Sequence, residues 1–215
     1  MAVGKSSVGL LLAERLSFQF FDTGVIYRTF TWKALSAGLS TSDTDALVEL
    51  AAATSFRFVA GAGARLTVLV NGEDVSALIG APEVERSVAL IAKIPRVRER
   101  MVAEQRRMAE EMRLVMAGRD IGTVVLPWAD LKVFLRASVH ERARRRFAEL
   151  QARGADISYE TVLAELEQRD HNDITRTVSP LKPAEDAVTI DTDGLTLEKV
   201  VERILELVRE RGFVS

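Results

Sequence analysis

An α/β fold, with a parallel sheet covered by helices on both faces, is predicted by three observations. Short all-apolar runs such as Leu114-Val115-Met116-Ala117 alternate with helical patterns, as buried parallel strands and their crossovers do. Gly4-Lys5-Ser6-Ser7 opens directly into the helically spaced apolar positions Val8, Leu11, Leu12 and Leu16. Between about residues 55 and 75 the period becomes that of antiparallel strands, which marks a small insert.

The elements follow in order. After the first helix, Phe18-Gln19-Phe20-Phe21 reads as a short strand ending at Asp22-Thr23-Gly24. A helix over about 25–37 stops at Gly38, a C′ glycine. Ser42 or Asp43 caps the next helix, which runs to about Ala53. Phe56-Arg57-Phe58-Val59 and Leu66-Thr67-Val68-Leu69-Val70 are strands, and Asn71-Gly72 turns the chain tightly into Glu73-Asp74-Val75. Helices over 82–93 and 96–112 are separated at Pro95. Leu114–Ala117 and Leu131–Leu135 are strands, and an Arg-rich helix spans about 139–152. A helix over about 159–169 leads into a polar loop through Pro180 and Pro183. The last strand, Ala187–Ile190, precedes a closing helix.

Composition narrows the function. At 215 residues, 47% hydrophobic and 28% charged, the chain can bury a core without disulfides or metal staples. Zero cysteines exclude disulfides, thiolate metal sites and thiol nucleophiles, and suit a reducing cytoplasm. A net charge of -2 argues against bulk electrostatic binding of nucleic acid. No apolar run reaches the ~18 residues that span a bilayer. A soluble intracellular protein is expected. Of the 29 basic residues 23 are Arg, the planar partner of phosphate, although a GC-rich genome would produce the same bias.

Gly4-Lys5-Ser6 at a helix start is the back half of the phosphate loop G-x-x-x-x-G-K-[ST]. There the helix N-terminus holds phosphates, Lys5 reaches the β/γ-phosphates and Ser6 ligates Mg²⁺. A plain helix N-terminus is the competing reading. The first glycine of the motif and the strand before it would lie upstream of Met1. Without that strand, Leu114–Ala117 and Leu131–Leu135 have open edges, and each unsatisfied buried backbone group costs ~1–3 kcal/mol. The expectation is that the natural chain begins upstream, or that this one folds poorly and is inactive.

Further blocks complete a pattern. Phe21-Asp22-Thr23-Gly24-Val25-Ile26-Tyr27-Arg28, Gly72-Glu73-Asp74-Val75-Ser76, Pro95-Arg96-Val97-Arg98 and Gly118-Arg119-Asp120-Ile121-Gly122-Thr123 are followed by Glu141-Arg142-Ala143-Arg144-Arg145-Arg146, Gln168-Arg169-Asp170, Asp173 to Arg176, and Ile190-Asp191-Thr192. Over essentially its whole length the chain resembles the bacterial cytidylate kinases. These are (d)CMP kinases with a three-layer P-loop kinase-like fold. The resemblance implies one domain over 1–215: a core of 1–54 and 76–215, a CMP-side insert of about 55–75, and a lid of about 139–176. Its central strand is the one missing here.

The resemblance also implies roles. Asp22, Thr23, Arg28, Arg98, Arg119, Asp120 and Asp173 match residues that hold the acceptor CMP or dCMP. Gly4, Lys5, Ser6 and Ser7 match the ATP and Mg²⁺ site, with Ser6 on the metal. Arg145 and Arg146 match lid arginines over ATP. Lys5, Arg142, Arg169 and Arg176 match groups that act on the transferring phosphate. A monomeric cytoplasmic enzyme that converts ATP and CMP or dCMP to ADP and CDP or dCDP is implied, with no nucleic-acid or membrane partner. The alternatives are a noncatalytic nucleotide-binding protein and a kinase for another pyrimidine monophosphate, UMP. One departure touches base selectivity: a family serine falls at Ala89, two residues from Ser87.

Each assignment has a plainer competitor. Asp22 caps a helix, Arg28, Arg98 and Arg119 join surface ion pairs, and 142–146 is a solvated face. Four arginines on little more than one turn repel one another by a few tenths of a kcal/mol per pair. That cost points to a polyanion nearby. His140 and His171 have no metal-ligand spacing and are read as surface residues.

Overall fold

The computed structural model describes residues 2–61, 63–175 and 181–213, with the backbone alone at 172–174. It divides into two compact units, Ala13–Gly118 and Met1–Leu12 with Arg119–Ser215. In chain order the elements are α1 (Lys5–Leu16), β1 (Gln19–Asp22), α2 (Gly24–Ser36), α3 (Thr44–Ala53), β2 (Phe56–Ala60), β3 (Leu66–Val70), β4 (Glu73–Asp74), α4 (Pro82–Ile91), α5 (Pro95–Glu111), β5 (Leu114–Ala117), a π-turn (Ile121–Val125), β6 (Val133–Arg136), α6 (Val139–Ala152), α7 (Tyr159–Thr175), β7 (Val188–Asp191) and α8 (Leu197–Glu210). The α/β class and the small antiparallel insert are both present. The parallel strands form two separate ladders, β1 with β5 and β6 with β7. No helix among the described residues is long and apolar enough to cross a membrane.

In the unit Ala13–Gly118, local chemistry sets the element ends. Gly38 sits at φ +74, a left-handed conformation open to glycine, and closes α2. Its N–H donates to the Leu35 carbonyl, and the Leu39 N–H donates to that of Ala34, so two otherwise orphaned carbonyls are satisfied. Asp43, not Ser42, caps α3 by accepting the Ala46 N–H at 3.1 Å. Asn71 and Gly72, at φ 51 and 88, form the two-residue turn joining β3 to β4. In β3, Leu66, Val68 and Val70 alternate inward and pack with Phe21 of β1, Phe30 of α2 and Met101 of α5 in one core. Each such large apolar side chain, once buried, contributes about 1.5–3 kcal/mol. At its other edge β1 meets the hairpin loop: the Phe20 N–H donates to the Ala64 carbonyl at 2.6 Å, and the Arg65 guanidinium lies over the Phe20 ring.

A buried carboxylate organises α5. Glu104, almost fully buried, pairs with Arg100 and with Arg107, the latter at 2.7 Å. The same arginines donate to backbone carbonyls, Arg100 to Ala51 and Thr54 and Arg107 to Phe56. The end of α3 and the start of β2 are thereby fastened to α5.

In the other unit, Ala143 of α6 packs against Val162 and Leu166 of α7. Several boundaries differ from expectation. β6 begins at Val133 rather than Leu131, because the Lys132 carbonyl, accepting the Val188 N–H, marks the first rung with β7. β7 ends one residue later, at Asp191. α7 runs past Arg169 to Thr175, so Asp170 is helical and not in a loop. Its polar final turns have weak helix propensity, but Asp170 is held by a long-range ion pair with α6, and tertiary contact overrides propensity.

Replacing Glu104 with Gln leaves two arginines beside a neutral amide. Because both arginines are partly exposed, the loss should be about 2 kcal/mol, below the 3–5 of fully enclosed pairs. Urea unfolding should report it as a lower midpoint at unchanged slope. A midpoint equal to that of the parent chain would show that the cluster is dispensable.

Candidate functional site

The residues matched to the acceptor nucleotide divide between the units. In the unit Ala13–Gly118 four of them gather where β1 runs into α2, at the carboxyl end of a parallel strand, the usual ligand end of such sheets. The Asp22 carboxylate accepts the Gly24 N–H at 2.9 Å, so the capping role is realised. Thr23 donates its N–H and its hydroxyl to the Ala117 carbonyl, at 2.9 and 3.2 Å, tying the end of β1 to the end of β5. A Cβ at Gly24 would lie 2.8 Å from Arg28 Nη1 and 3.0 Å from Asp22 Oδ1. The Arg28 guanidinium therefore folds back over a glycine beside Asp22. It also approaches Glu85 of α4 at 3.7 Å. Arg98 stacks on the Tyr27 ring, 5.8 Å from its centroid. Gly24, Tyr27 and Glu85 were not singled out in the sequence, although Gly24 and Tyr27 lie within the block that carried the resemblance. On α4, Ala89 is exposed and Ser87 is half-buried.

The remaining matched residues belong to the other unit. Gly4, at φ +90, precedes α1, and its carbonyl accepts the first intrahelical bond, from Val8, at 2.8 Å. Lys5, Ser6 and Ser7 form the first turn, with both serines exposed. A helix N-terminus presents N–H groups and a positive dipole end, which suits a phosphate. For a divalent cation the fit is specific in kind: Ser6 offers a hydroxyl oxygen. Among the described residues no cluster of three or more His, Cys, Asp or Glu is placed to hold a metal. A hard cation here would take most of its oxygens from phosphates and water, as Mg²⁺ does.

Asp120, only 7% exposed, heads the π-turn, its carbonyl accepting the Val124 and Val125 N–H groups. Arg119 precedes it. On α6, Arg142 is 8% exposed and grips the Asp170 carboxylate with two parallel bonds, 2.9 and 2.5 Å, while its Nε donates to the Ala137 carbonyl. Arg144 and Arg145 pair with Glu141, and Arg146 pairs with Glu149. Arg145 also donates to the Thr192 carbonyl and hydroxyl. The argument from arginine repulsion is thus corrected, since every member of the run has a carboxylate partner within the unit. Arg169 is exposed on α7. The Asp173 side chain and Arg176 lie outside the described residues. His140 and His171 are at the surface as expected, His140 lying 3.3 Å from the Tyr159 hydroxyl.

The family model for cytidylate kinase matches residues 1–210. The chain is 49% identical over 210 residues to the cytidylate kinase of a Geobacillus species, covering 98% of this chain and 93% of the relative. The same identity and coverage relate it to the cytidylate kinase of Geobacillus kaustophilus. That of Desulforamulus reducens is 48% identical over 209 residues, covering 97% and 93%.

Burial alone would raise the Asp170 carboxyl, but the Arg142 bonds and charge outweigh it and hold the group below its ordinary value. A depressed carboxylate stabilises the fold above its unfolded pKa, near 3.9, and loses that contribution as pH falls through the lower folded value. Asp170→Asn should therefore cost about 1–2 kcal/mol near neutral pH. The melting gap between parent and variant should stay level down to about pH 5 and close only below about pH 4. A gap that closes between pH 8 and 6 would assign the effect to another group.

Proposed function

Because the chain belongs to the cytidylate kinase family, we propose that it transfers the γ-phosphoryl group of ATP to CMP and dCMP, giving CDP or dCDP and ADP. The observation that carries this reading is the gathering of Asp22, Thr23, Arg28 and Arg98 at the carboxyl end of β1. Arginines suit the phosphate and the carbonyl oxygen of cytosine, and a carboxylate suits its exocyclic amine.

In this mechanism an oxygen of the CMP phosphate attacks the γ-phosphorus, and the bond from that phosphorus to the β,γ-bridging oxygen breaks as ADP leaves. The attacking oxygen is already ionised near neutral pH, so no general base is needed. Catalysis is positioning and neutralisation of charge. Arg28 clamps the acceptor phosphate through its planar fork. Arg98, Arg119 and Asp120 orient the base, and Asp173 the pentose. The N–H groups of the first turn of α1, with Lys5, cradle the donor phosphates. Ser6 and the bound phosphates would hold Mg²⁺, which would supply Lewis-acid neutralisation of phosphate charge. Arg142, Arg169 and Arg176 neutralise charge that shifts toward the bridging oxygen, and Arg145 and Arg146 cover the donor. Closure of residues 139–176 excludes water, the competing acceptor.

The test is CMP-dependent ADP release, with UMP, dTMP and AMP as competing acceptors. Turnover confined to CMP and dCMP is expected. Lys5→Ala should lower kcat by about 10²–10³-fold, the usual effect of removing one transition-state donor. Arg98→Ala should act mainly on the KM for CMP, and Ala89→Ser should tighten it. Binding of CMP with no ADP released would replace the kinase by a noncatalytic nucleotide-binding protein. Equal turnover of UMP would broaden the acceptor.

A further inference from the structure

We propose that Lys132 is a positioning residue for the acceptor nucleotide, locking the turn that begins at Arg119 and Asp120. The inference rests on the reading of those two residues as acceptor ligands. Lys132 immediately precedes β6, and its side chain is only 9% exposed, unusual for a lysine. Its stem lies on Gly122 within the π-turn. A Cβ at Gly122 would stand 3.0 Å from Lys132 Cδ and 3.3 Å from Cγ, so the glycine makes room for the stem. The ammonium donates to the Pro127 carbonyl at 2.5 Å and to both oxygens of Asp186, at 2.9 and 2.8 Å. An ammonium has three N–H donors, and three acceptor oxygens surround this one.

One side chain thus fastens the first part of the turn at Gly122, the chain just after it at Pro127 and the segment before β7 at Asp186. That anchoring matters because the turn is π-type, a winding seen mostly as single turns and frequently at functional sites. Asp120 stands at its head, with its carbonyl committed to the turn's own N–H groups. Displacing Gly122 displaces Asp120 and Arg119 with it. Stability alone does not account for the arrangement. Asp186 is 65% exposed, and such an ion pair is worth little. The deep stem and the carbonyl bond fix geometry instead.

The experiment compares Lys132→Met, which keeps an unbranched stem over Gly122 and removes the ammonium, with Lys132→Arg and Asp186→Asn. For each, KM is measured for CMP and for ATP, together with kcat, CMP affinity by calorimetry and thermal stability. Lys132→Met is expected to raise the KM and Kd for CMP by about tenfold while the KM for ATP stays within about twofold, as a small misplacement of acceptor ligands requires. Asp186→Asn should move CMP binding the same way by less, and Lys132→Arg should recover part of the loss. CMP affinity unchanged in both Lys132→Met and Asp186→Asn would overturn the proposal. So would losses for CMP and ATP that rise together in step with the melting temperature, the mark of a purely structural lysine. If Lys132→Met does not fold, Asp186→Asn decides. A parent chain that binds CMP without turnover defeats the kinase reading, and the ratio of Kd values then decides this one. A parent chain that does not bind CMP overturns both.

Discussion

A carboxylate taken out of water must be met by cations with their own hydrogen bonds satisfied, and Glu104 imposes that condition on the unit Ala13–Gly118. It is met by two arginines whose planar forks have donors to spare after the carboxylate is paired. Those spare donors reach the Ala51, Thr54 and Phe56 carbonyls, where α3 ends and β2 begins. The insert is therefore fastened to the helix that also carries Arg98.

The other unit repeats the solution. Arg142 grips Asp170 on α7 and, through Nε, the Ala137 carbonyl just before α6. Arg145 divides itself between Glu141 and the Thr192 carbonyl after β7. In each case one guanidinium joins a carboxylate to a backbone oxygen at an element end. The arginine-rich composition is structural as well as chemical, and the run on α6 is internally neutralised. Any anion approaching these arginines would have to compete with carboxylates already in place.

Features written in a few adjacent residues were legible in the sequence. Gly38 stopped its helix, one of the pair Ser42 and Asp43 capped the next, and Asn71-Gly72 made its hairpin, because each acts through its own backbone angles or neighbouring N–H groups. β5 was legible because four apolar residues between turn signals have few other uses. The residues that gather at the end of β1 were singled out through resemblance, and the bond made by Asp22 agrees with its plainer reading as a cap. What escaped depends on partners far along the chain. The last turns of α7 look like a loop until Asp170 meets Arg142, twenty-eight residues away. The seating of Lys132 on Gly122 and its bond to Asp186, fifty-four residues on, have no local signature. The charge pairing on α6 was misjudged because counting like charges within 142–146 left out Glu141 before the run, Glu149 after it and the distant Asp170.

The contact between Phe20 and the hairpin loop has a bearing on life in a crowded solution. A strand as apolar as Gln19-Phe20-Phe21, left with an open edge, is a template on which another molecule can lay a strand of its own. With β5 along one side and the Ala64 carbonyl and Arg65 planted at the other, that template is interrupted at its most hydrophobic point. The hairpin loop covers the β1 edge at Phe20, and Arg65, where the loop enters β3, sets a positive charge beside it.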